Sequence, residues 1–276
     1  MTVSLITACY NSIGTIEDAM ASVRSQRLSG VSLDYIVIDG GSSDGTARAV
    51  EKFCSAPAPE GMCMRWVSAP DKGMYDALNK GIAMARGDVV GILNADDVLE
   101  DATTVERVAA AFADGVDAVY GDVRFVKDDL ETTLRYYGAS RWRPWMHNWG
   151  YMPPHPAVYI RRAAFERYGA YKLGYRISAD FELMVRFFCR NRIPSAYLPG
   201  SVVKMRMGGA STKGLASTIV LNAENVRANR ENGYFSCMAM MLPKYLFKIW
   251  GFVFTRGPSP RKRGASAAGA KERKEA

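Results

Sequence analysis

One stretch of the sequence decides the fold: Gly91-Ile92-Leu93-Asn94-Ala95-Asp96-Asp97. It completes an apolar run that begins at Val89, and a short, uncharged, β-branched run of this kind predicts a buried central strand. The run ends in Asn94, Asp96 and Asp97, and a carboxylate pair at the end of a buried strand is costly unless it binds something. In open α/β sheets, ligands bind at the carboxyl ends of the strands. We therefore expect the ligand of this sheet beside these residues.

The carboxylate oxygens of Asp96 and Asp97 suit a hard divalent cation, Mg²⁺ or Mn²⁺. Such a cation usually bridges protein carboxylates and the phosphate groups of a substrate. The alternative is a plain strand-to-helix turn, in which Asp97 or Asp101 caps the helix that follows. The pair alone is compatible with both interpretations, so the rest of the chain has to decide.

Composition limits the classes of protein to consider. The 276 residues, 48% of them hydrophobic, are enough for one large α/β domain or two small ones. A net charge of +8 favours anionic partners such as nucleotide phosphates, acidic lipid or nucleic acid. The five cysteines are scattered and form no Cys-x-x-Cys pair, so we expect a reducing compartment and no structural zinc. A strand-like segment follows the first residue almost directly, so we expect no signal peptide.

Strand-like and helix-like segments alternate along the first 122 residues. The alternation predicts a parallel sheet with helices on both faces. Such a sheet commonly binds nucleotides, yet neither a Gly-x-Gly-x-x-Gly nor a Gly-x-x-x-x-Gly-Lys-Ser/Thr loop follows the first strand. Without a phosphate loop, a diphosphate could be neutralised by a metal ion held at Asp96.

Five segments resemble, in their order and spacing, the motifs of family 2 glycosyltransferases with the GT-A fold. They are TACYN at 7–11, VIDGGSSDGT at 37–46, GMYDALNKG at 73–81, NADD at 94–97 and SAD at 178–180. The resemblance covers about the first 210 residues and implies a Rossmann-like, mixed but mostly parallel sheet flanked by helices. Two positions depart from the family pattern. Asn94 replaces the first aspartate of Asp-x-Asp, which leaves Asp96 as the expected metal ligand, and Ala179 stands where many members have glutamate.

The resemblance also implies a nucleoside-diphosphate sugar donor, expected to be UDP-linked. Asp39 would accept a hydrogen bond from the ring N–H of the base, and the alternative is a turn or helix-cap aspartate. Thr7 and Tyr10 would flank the base, with Tyr10 stacking on it. The other expected donor-binding residues are Asp76, Asn79, Asn94 and Arg206. The alternative for Asn79 is a place on an exposed polar face of its helix.

Asp180 precedes a helix-like segment, residues 181–191, and could simply cap that helix. The resemblance implies that Asp180 is the general base of an inverting transfer. His155 lies in a proline-rich loop and is expected to complete the metal site or to contact the acceptor, with a structural histidine as the alternative. Residues 141–149 are rich in aromatic and basic side chains and form either a packed loop or a wall for acceptor sugars.

The chain divides into a GT-A domain and a C-terminal extension. The domain is predicted over 1–212, with a nucleotide-sugar half (1–122) and an acceptor half (123–212). A helical segment, 213–256, and a disordered basic tail, 257–276, follow it. The apolar part of that extension contains Lys244 and Lys248, so it fits an interfacial segment better than a membrane span. We expect a peripheral protein on the cytoplasmic face of an anionic membrane.

These observations predict an inverting glycosyltransferase that depends on Mn²⁺ or Mg²⁺. Its acceptor is expected to be a hydroxyl group of a glycan or lipid-linked molecule in the synthesis of cell-surface polysaccharide or glycoconjugate, and no nucleic-acid partner is expected. One alternative is a nucleotidyltransferase, which would be expected to carry a Gly- and Lys-rich loop after the first strand. The other is a sugar- or nucleotide-binding module without catalysis, and the retention of both Asp96 and Asp180 argues against it.

Overall fold

The structure, a computed structural model, describes residues 1–113, 115–207 and 214–244. The described strands are β1 Thr2–Cys9, β2 Ser32–Asp39, β3 Met62–Ser68, β4 Val89–Ile92, β5 Val98–Leu99, β6 Ala118–Val126, β7 Thr133–Tyr137, β8 Val158–Arg161 and β9 Ser195–Arg206. The α-helices are α1 Ile16–Arg24, α2 Thr46–Ser55, α3 Met74–Met84, α4 Thr104–Ala110, α5 Arg162–Tyr168, α6 Ala179–Met184 and α7 Gly214–Glu231. Shorter helical segments are Pro144–Trp149, His155–Ala157, Met238–Met241 and a π-helical continuation of α6, Val185–Arg190.

The nine strands form a single mixed sheet in the order β3-β2-β1-β4-β8-β6-β9-β5, with β7 paired to β6. The first four strands in that order are mutually parallel, as the alternation in the sequence predicts. The strand β8 runs antiparallel to both β4 and β6, while β9 is parallel to β6. The parallel half presents the carboxyl ends of β1, β2 and β4 at one edge, where the predicted ligand site lies.

The sheet is covered on both faces, which explains the uninterrupted apolar runs of its central strands. On β1, Leu5 lies in one apolar cluster with residues of α1, α2 and α4. Its neighbour Ile6 lies in a second cluster with residues of α3, α5 and α6. Both side chains are fully buried, because successive side chains of a strand point to opposite faces.

The predicted central strand is confirmed as β4, which lies between β1 and β8. Gly91 is required here, since a Cβ atom at this position would lie 2.2 Å from Cε1 of Tyr159 on the neighbouring strand. The ring of Tyr159 thus packs against the backbone of β4. The chain leaves the sheet directly after this contact, at Asn94.

The second half of the chain is continuous with the first. The predicted boundary at residue 122 falls inside β6, and the helix predicted from about residue 213 is confirmed as α7. Ala228 of α7 belongs to the same apolar cluster as Leu183 and Phe187. Within the three described ranges, no helix has both the length and the apolar character needed to span a membrane. The expectations for Lys248 and the tail concern residues outside those ranges.

Candidate functional site

Asp39 organises the turn at the end of β2. Its carboxylate is fully buried and accepts hydrogen bonds from the backbone N–H groups of Gly41 (3.2 Å) and Ser42 (3.1 Å) and from the hydroxyl of Ser68 (2.6 Å). The hydroxyl of Ser42 and the thiol of Cys9 also donate to it. Burial acts to raise the pKa of Asp39, but the bonds from Ser42, Ser68 and Gly41 outweigh it and hold the pKa below its ordinary value. Since the carboxylate is fully buried, a base N–H could reach it only if one of these donors moved aside, and it would then share an oxygen with the others.

Tyr10 offers the exposed aromatic surface at this edge, since 63% of it is accessible. Its ring and the carboxylate of Asp71 converge over Gly40, where a Cβ atom would lie 3.4 Å from Tyr10 and 2.6 Å from Asp71. Gly40 thus leaves room for the approach of these two side chains. Thr7 differs from the expectation, because it is fully buried and accepts a hydrogen bond from the hydroxyl of Tyr35 at 3.1 Å. Its side chain has no surface to offer to a base in this conformation.

The two aspartates after β4 have opposite surroundings. Asp97 is buried, and its two oxygens accept hydrogen bonds from the Asn94 amide (2.8 Å) and the backbone N–H of Arg206 (3.2 Å). Burial and the neighbouring Asp96 raise the pKa of Asp97 to about 8. Asp96 is half-buried, and no hydrogen bond or ion pair to its carboxylate is found in the described part of the chain. Asp96 is the accessible carboxylate of the pair.

Arg206, the cation expected to hold a diphosphate, lies beside Asp96. Its guanidinium group donates to the backbone oxygen of Asp96 at 3.0 Å and pairs with the carboxylate of Asp18 on α1 at 2.5 Å. The side chain is only 10% exposed, whereas that of Asp18 is 52% exposed. Binding of a diphosphate by Arg206 would therefore compete with its ion pair to Asp18.

Asp180 lies in the first turn of α6 and is half-buried. Its Oδ1 accepts a hydrogen bond from the backbone N–H of Phe181 at 2.8 Å and a longer one from the hydroxyl of Tyr75 at 3.4 Å. Burial raises the pKa of Asp180 above its ordinary value, although His155 and these donors oppose the rise. In the described part of the chain no cation pairs with Asp180, so its carboxylate is available to accept a proton.

His155 interacts with Asp180 and Tyr171, and its place in the metal site stays a prediction. Its Nε2 lies 2.6 Å from the hydroxyl of Tyr171, whose ring stacks on Tyr75 at 5.6 Å. Burial holds the pKa of His155 below its ordinary value, although the nearby Asp180 opposes this effect. Among the described residues, no three His, Cys, Asp or Glu side chains gather into a metal-binding cluster. The sequence motifs did not reveal Tyr75 and Tyr171 as the groups that connect His155 to Asp180.

The two polar residues predicted on α3 have different surroundings. Asp76 accepts a hydrogen bond from the backbone N–H of Lys72 and pairs with Lys80, and these contacts hold the pKa of its carboxyl below the ordinary range. Asn79 forms two hydrogen bonds with the backbone of Tyr171. Both polar atoms of the Asn79 side chain are used in these internal hydrogen bonds. Asn79 is therefore neither an exposed polar residue nor free to contact the donor in this structure.

A divalent cation fits the end of β4 if phosphate oxygens complete its ligands. Asp96 supplies a carboxylate that has no hydrogen-bond or ion-pair partner among the described residues, and Asn94, two residues earlier, carries an amide oxygen. Mg²⁺ and Mn²⁺ accept such a site because they commonly bind through one or two carboxylates together with substrate phosphates. Asp97, which was expected to be a second metal ligand, faces the interior, and both of its oxygens accept hydrogen bonds. It would stabilise the turn and would not contact the metal directly.

The aromatic segment at 141–149 divides between the two expected interpretations. Trp142 is buried, with its ring at 5.3 Å from those of Tyr120 and Phe188. Trp145 is 63% exposed and lines an open cavity of about 450 Å³ together with His147 and other residues. Trp142 is therefore part of the packed interior, and Trp145 provides an exposed aromatic surface.

Sequence comparisons identify relatives that cover most of the chain. The profile described as "Glycosyl transferase family 2" matches residues 4–169. A PGL/p-HBAD biosynthesis glycosyltransferase of Mycobacterium bovis is 32% identical over 189 residues, which are 68% of this chain and 69% of the relative. An uncharacterized glycosyltransferase of Mycobacterium tuberculosis is 32% identical over 195 residues, or 67% of this chain and 68% of the relative.

Solved structures share the fold at low sequence identity. S. aureus TarS 1-349 in complex with UDP-GlcNAc has a TM-score of 0.61 at 15% identity, covering 93% of this chain and 74% of that one. The mannosyltransferase PcManGT from Pyrobaculum calidifontis, in complex with GDP-Man and Mn²⁺, has a TM-score of 0.59 at 17% identity, covering 91% and 72%. Glucosyl-3-phosphoglycerate synthase from Mycobacterium tuberculosis, with Mg²⁺ and UDP, has a TM-score of 0.55 at 18% identity, covering 82% and 79%.

Proposed function

Because the chain belongs to glycosyl transferase family 2 and has the GT-A fold, we propose that it is an inverting, metal-dependent glycosyltransferase. Its donor is a nucleoside-diphosphate sugar, with UDP proposed as the nucleotide, and its acceptor is a hydroxyl group of a glycan or lipid-linked molecule. One observation carries the proposal: the Asp180 carboxylate is held by Tyr75 and its own helix, unpaired by any cation in the described chain.

Asp180 is proposed as the general base. Its carboxylate takes the proton of the acceptor hydroxyl while that oxygen forms a bond to the anomeric carbon of the sugar. The bond from this carbon to the phosphate oxygen breaks on the opposite face, and its electron pair leaves with the diphosphate. Burial raises the pKa of Asp180 towards the range in which a general base is efficient at neutral pH.

A bound Mn²⁺ or Mg²⁺ would neutralise the negative charge that develops on the departing diphosphate. Asp96 would hold the cation, and Asn94 would contribute through its amide oxygen or through a metal-bound water. Arg206 lies beside Asp96 and would bind the same diphosphate. The presence of Mn²⁺ and Mg²⁺ in two structures of similar fold supports this assignment.

The nucleotide would lie along the ends of β1 and β2. Tyr10 supplies an exposed ring on which the base can stack, and Asp39 is proposed to accept the ring N–H of the base. Asp76, whose ionised carboxylate lies on the first turn of α3, is proposed to contact the ribose or the donor sugar. UDP is preferred over GDP because two of the three compared structures carry a uridine nucleotide.

A surface position at an anionic membrane on the cytoplasmic side is part of the proposal. Three apolar side chains near the end of the described chain are exposed: Phe235 by 78%, Met238 by 46% and Leu242 by 63%. An apolar sequence continues from there to Phe254, and the cations of residues 261–263 follow it. This location would bring the site to a lipid-linked acceptor in the synthesis of a cell-surface glycoconjugate.

The test is a screen of nucleotide sugars with Mn²⁺, followed by assignment of the anomeric configuration of the product by NMR. An α-linked donor should give a β-linked product, and chelation of the metal should stop the reaction. A product with retained configuration contradicts the proposed inversion. Release of pyrophosphate from a nucleoside triphosphate would indicate a nucleotidyltransferase, and donor binding without turnover would indicate a binding module.

A further inference from the structure

Glu224, on α7, makes an unusual set of contacts with the loop that carries Asp180. One of its carboxylate oxygens accepts a hydrogen bond from the backbone N–H of Arg176 at 2.6 Å. The other accepts two, from the N–H groups of Ile177 and Ser178, both at 2.9 Å. A single side chain therefore satisfies three successive backbone donors, which lie immediately before α6.

The three donors lie in the loop immediately before α6, so none of them has a partner within the helix. Hydrogen bonds to a charged acceptor are roughly twice as strong as neutral ones, so a carboxylate is an effective partner for them. The bonds fix the path of residues 176–178. Asp180 follows two residues later, so its position depends on that path.

The same loop is held from its other side by α3. The hydroxyl of Tyr75 donates a hydrogen bond to the backbone oxygen of Ile177 and also contacts Oδ1 of Asp180 at 3.4 Å. The Ser178 hydroxyl lies 3.4 Å from the backbone oxygen of Leu221, one turn before Glu224 on α7. The segment before Asp180 is thus bracketed between α3 and α7.

We propose that Glu224 is a positioning residue for the general base: its three hydrogen bonds hold the loop so that the Asp180 carboxylate faces the acceptor hydroxyl. This inference rests on the proposed function, in which Asp180 removes the proton. Glu224 touches neither substrate nor Asp180 in this role. It lies outside residues 4–169, so the matched family profile does not include it.

The docking of α7 does not depend on Glu224 alone, so its variants should fold. The amide of Asn232 donates to the buried carboxylate of Glu182 at 3.2 Å, and Asn229 lies 2.6 Å from the ring of His147. Glu231 accepts hydrogen bonds from Lys172 and Tyr175. These contacts keep α7 in place when one acidic side chain of the helix is changed.

The experiment compares Glu224→Ala and Glu224→Gln with Glu231→Gln as the matched control on the same helix. For each variant, the turnover number, the donor KM and the pH dependence of turnover are measured, together with the melting temperature. We expect Glu224→Ala to lower turnover by about 10- to 100-fold, since displacement of a catalytic group by 1 Å can cost about 100-fold. The donor KM should stay within about twofold, because the loop does not bind the nucleotide.

Glu224→Gln should restore part of the turnover. Its remaining oxygen can accept from Ile177 and Ser178, whereas its NH₂ group opposes the N–H of Arg176. In Glu224→Ala, a loosened loop admits water to Asp180, so the acid limb of the turnover profile should move to lower pH. The other titratable groups facing Asp180 are His155, Tyr75 and Tyr171, and none of them is changed. Glu231→Gln should leave turnover and this profile unchanged.

Two results would overturn the inference. The first is a turnover of Glu224→Ala within twofold of that of the unaltered enzyme. The second is an equal loss of turnover in Glu224→Gln and Glu231→Gln that is fully explained by their lower melting temperatures. Asp180→Asn separates this failure from that of the proposed function. If Asp180→Asn remains active, the base assignment itself is wrong, whereas an inactive Asp180→Asn beside a fully active Glu224→Ala contradicts only the role of Glu224.

Discussion

The side-chain amide of Asn79 closes a pair of hydrogen bonds on the backbone of one residue, Tyr171. Its Nδ2 donates to the Tyr171 oxygen at 2.8 Å, and its Oδ1 accepts from the Tyr171 N–H at 2.9 Å. The pair connects α3 with the loop that carries Tyr171. The ring of Tyr171 stacks on Tyr75, and its hydroxyl forms a hydrogen bond with His155. Asn79 thereby braces the surroundings of Asp180 from a distance.

Replacement of this brace should affect stability and leave donor affinity unchanged. Asn79→Ala leaves two backbone groups of Tyr171 without partners, so we expect a loss of about 1–3 kcal/mol in the free energy of unfolding. Asn79→Asp should lose less, because its oxygen can still accept the N–H. Urea unfolding and the donor KM measure the two effects. A raised KM with unchanged stability would instead restore Asn79 to the donor site.

The metal site is tested by Asp96→Ala beside Asp97→Asn. Asp96→Ala should abolish transfer and remove the metal dependence of UDP binding, since it deletes the accessible carboxylate. Asp97→Asn keeps the shape of the buried side chain and should retain metal-dependent binding. Calorimetry of UDP with and without Mn²⁺ measures both. Normal turnover of Asp96→Ala with a continued need for Mn²⁺ would place the cation elsewhere.

The base assignment predicts a specific pH dependence. Asp180 must be ionised to accept a proton, and burial raises its pKa, so turnover should fall as the pH drops through a value above about 3.9, the ordinary pKa of Asp. Asp180→Asn should lower turnover by about 100-fold or more while donor affinity stays nearly unchanged. Loss of UDP binding with turnover preserved at saturation would contradict this assignment.

Arg206 should contribute to donor binding through the positive charge of its guanidinium group and through the two N–H groups that this group can direct at one phosphate. Arg206→Ala is expected to raise the donor KM by about 10- to 100-fold, which corresponds to 1.5–3 kcal/mol for hydrogen bonds to a charged group. Arg206→Lys should recover only part of this loss, because an ammonium group lacks the planar fork. Arg162→Ala, which disrupts an exposed ion pair with Glu166, serves as the control. A donor KM equal in both alanine variants would exclude Arg206 from the site.

Membrane binding is expected to depend on the residues after 244. Flotation with anionic liposomes should capture the full chain and lose a variant that ends at Lys244. Replacement of Arg261, Lys262 and Arg263 by glutamine should weaken partitioning by about two orders of magnitude, since each cation near the surface contributes about 1 kcal/mol. Neutral liposomes provide the comparison. Equal flotation of the truncated and full chains would argue against this surface.

The sequence was sufficient for features defined by local pattern. The run up to Leu93 predicted a central strand, and the alternation of strands and helices predicted the parallel half of the sheet, because both depend on neighbouring residues. The antiparallel strand β8 was not predicted, since strand direction in a sheet depends on partners far along the chain. The same limit applied to the polar groups. Asn79 and His155 both form hydrogen bonds with Tyr171, and no spacing in the sequence predicts these contacts.

Glu224 shows a second limit of sequence interpretation. It is one of two acidic residues on its helix, and nothing in its spacing separates it from the other, Glu231. Only the fold shows that one of these residues faces three backbone N–H groups while the other pairs with side chains. Asp97 is similar, because the sequence cannot show which member of an adjacent carboxylate pair faces the interior.

The position of β5 has a consequence for the synthesis of this protein. Among the described strands, β5 pairs only with β9, and the N–H that closes on Asp97 belongs to Arg206, 109 residues later in the chain. During translation, β5 and Asp97 therefore leave the ribosome long before β9, which supplies their hydrogen-bond partners. Pairings of such long range form slowly and leave unfinished strand edges open to aggregation. Substitutions in β9 at positions other than Arg206 should therefore lower the yield of correctly folded enzyme more than the turnover of the molecules that fold.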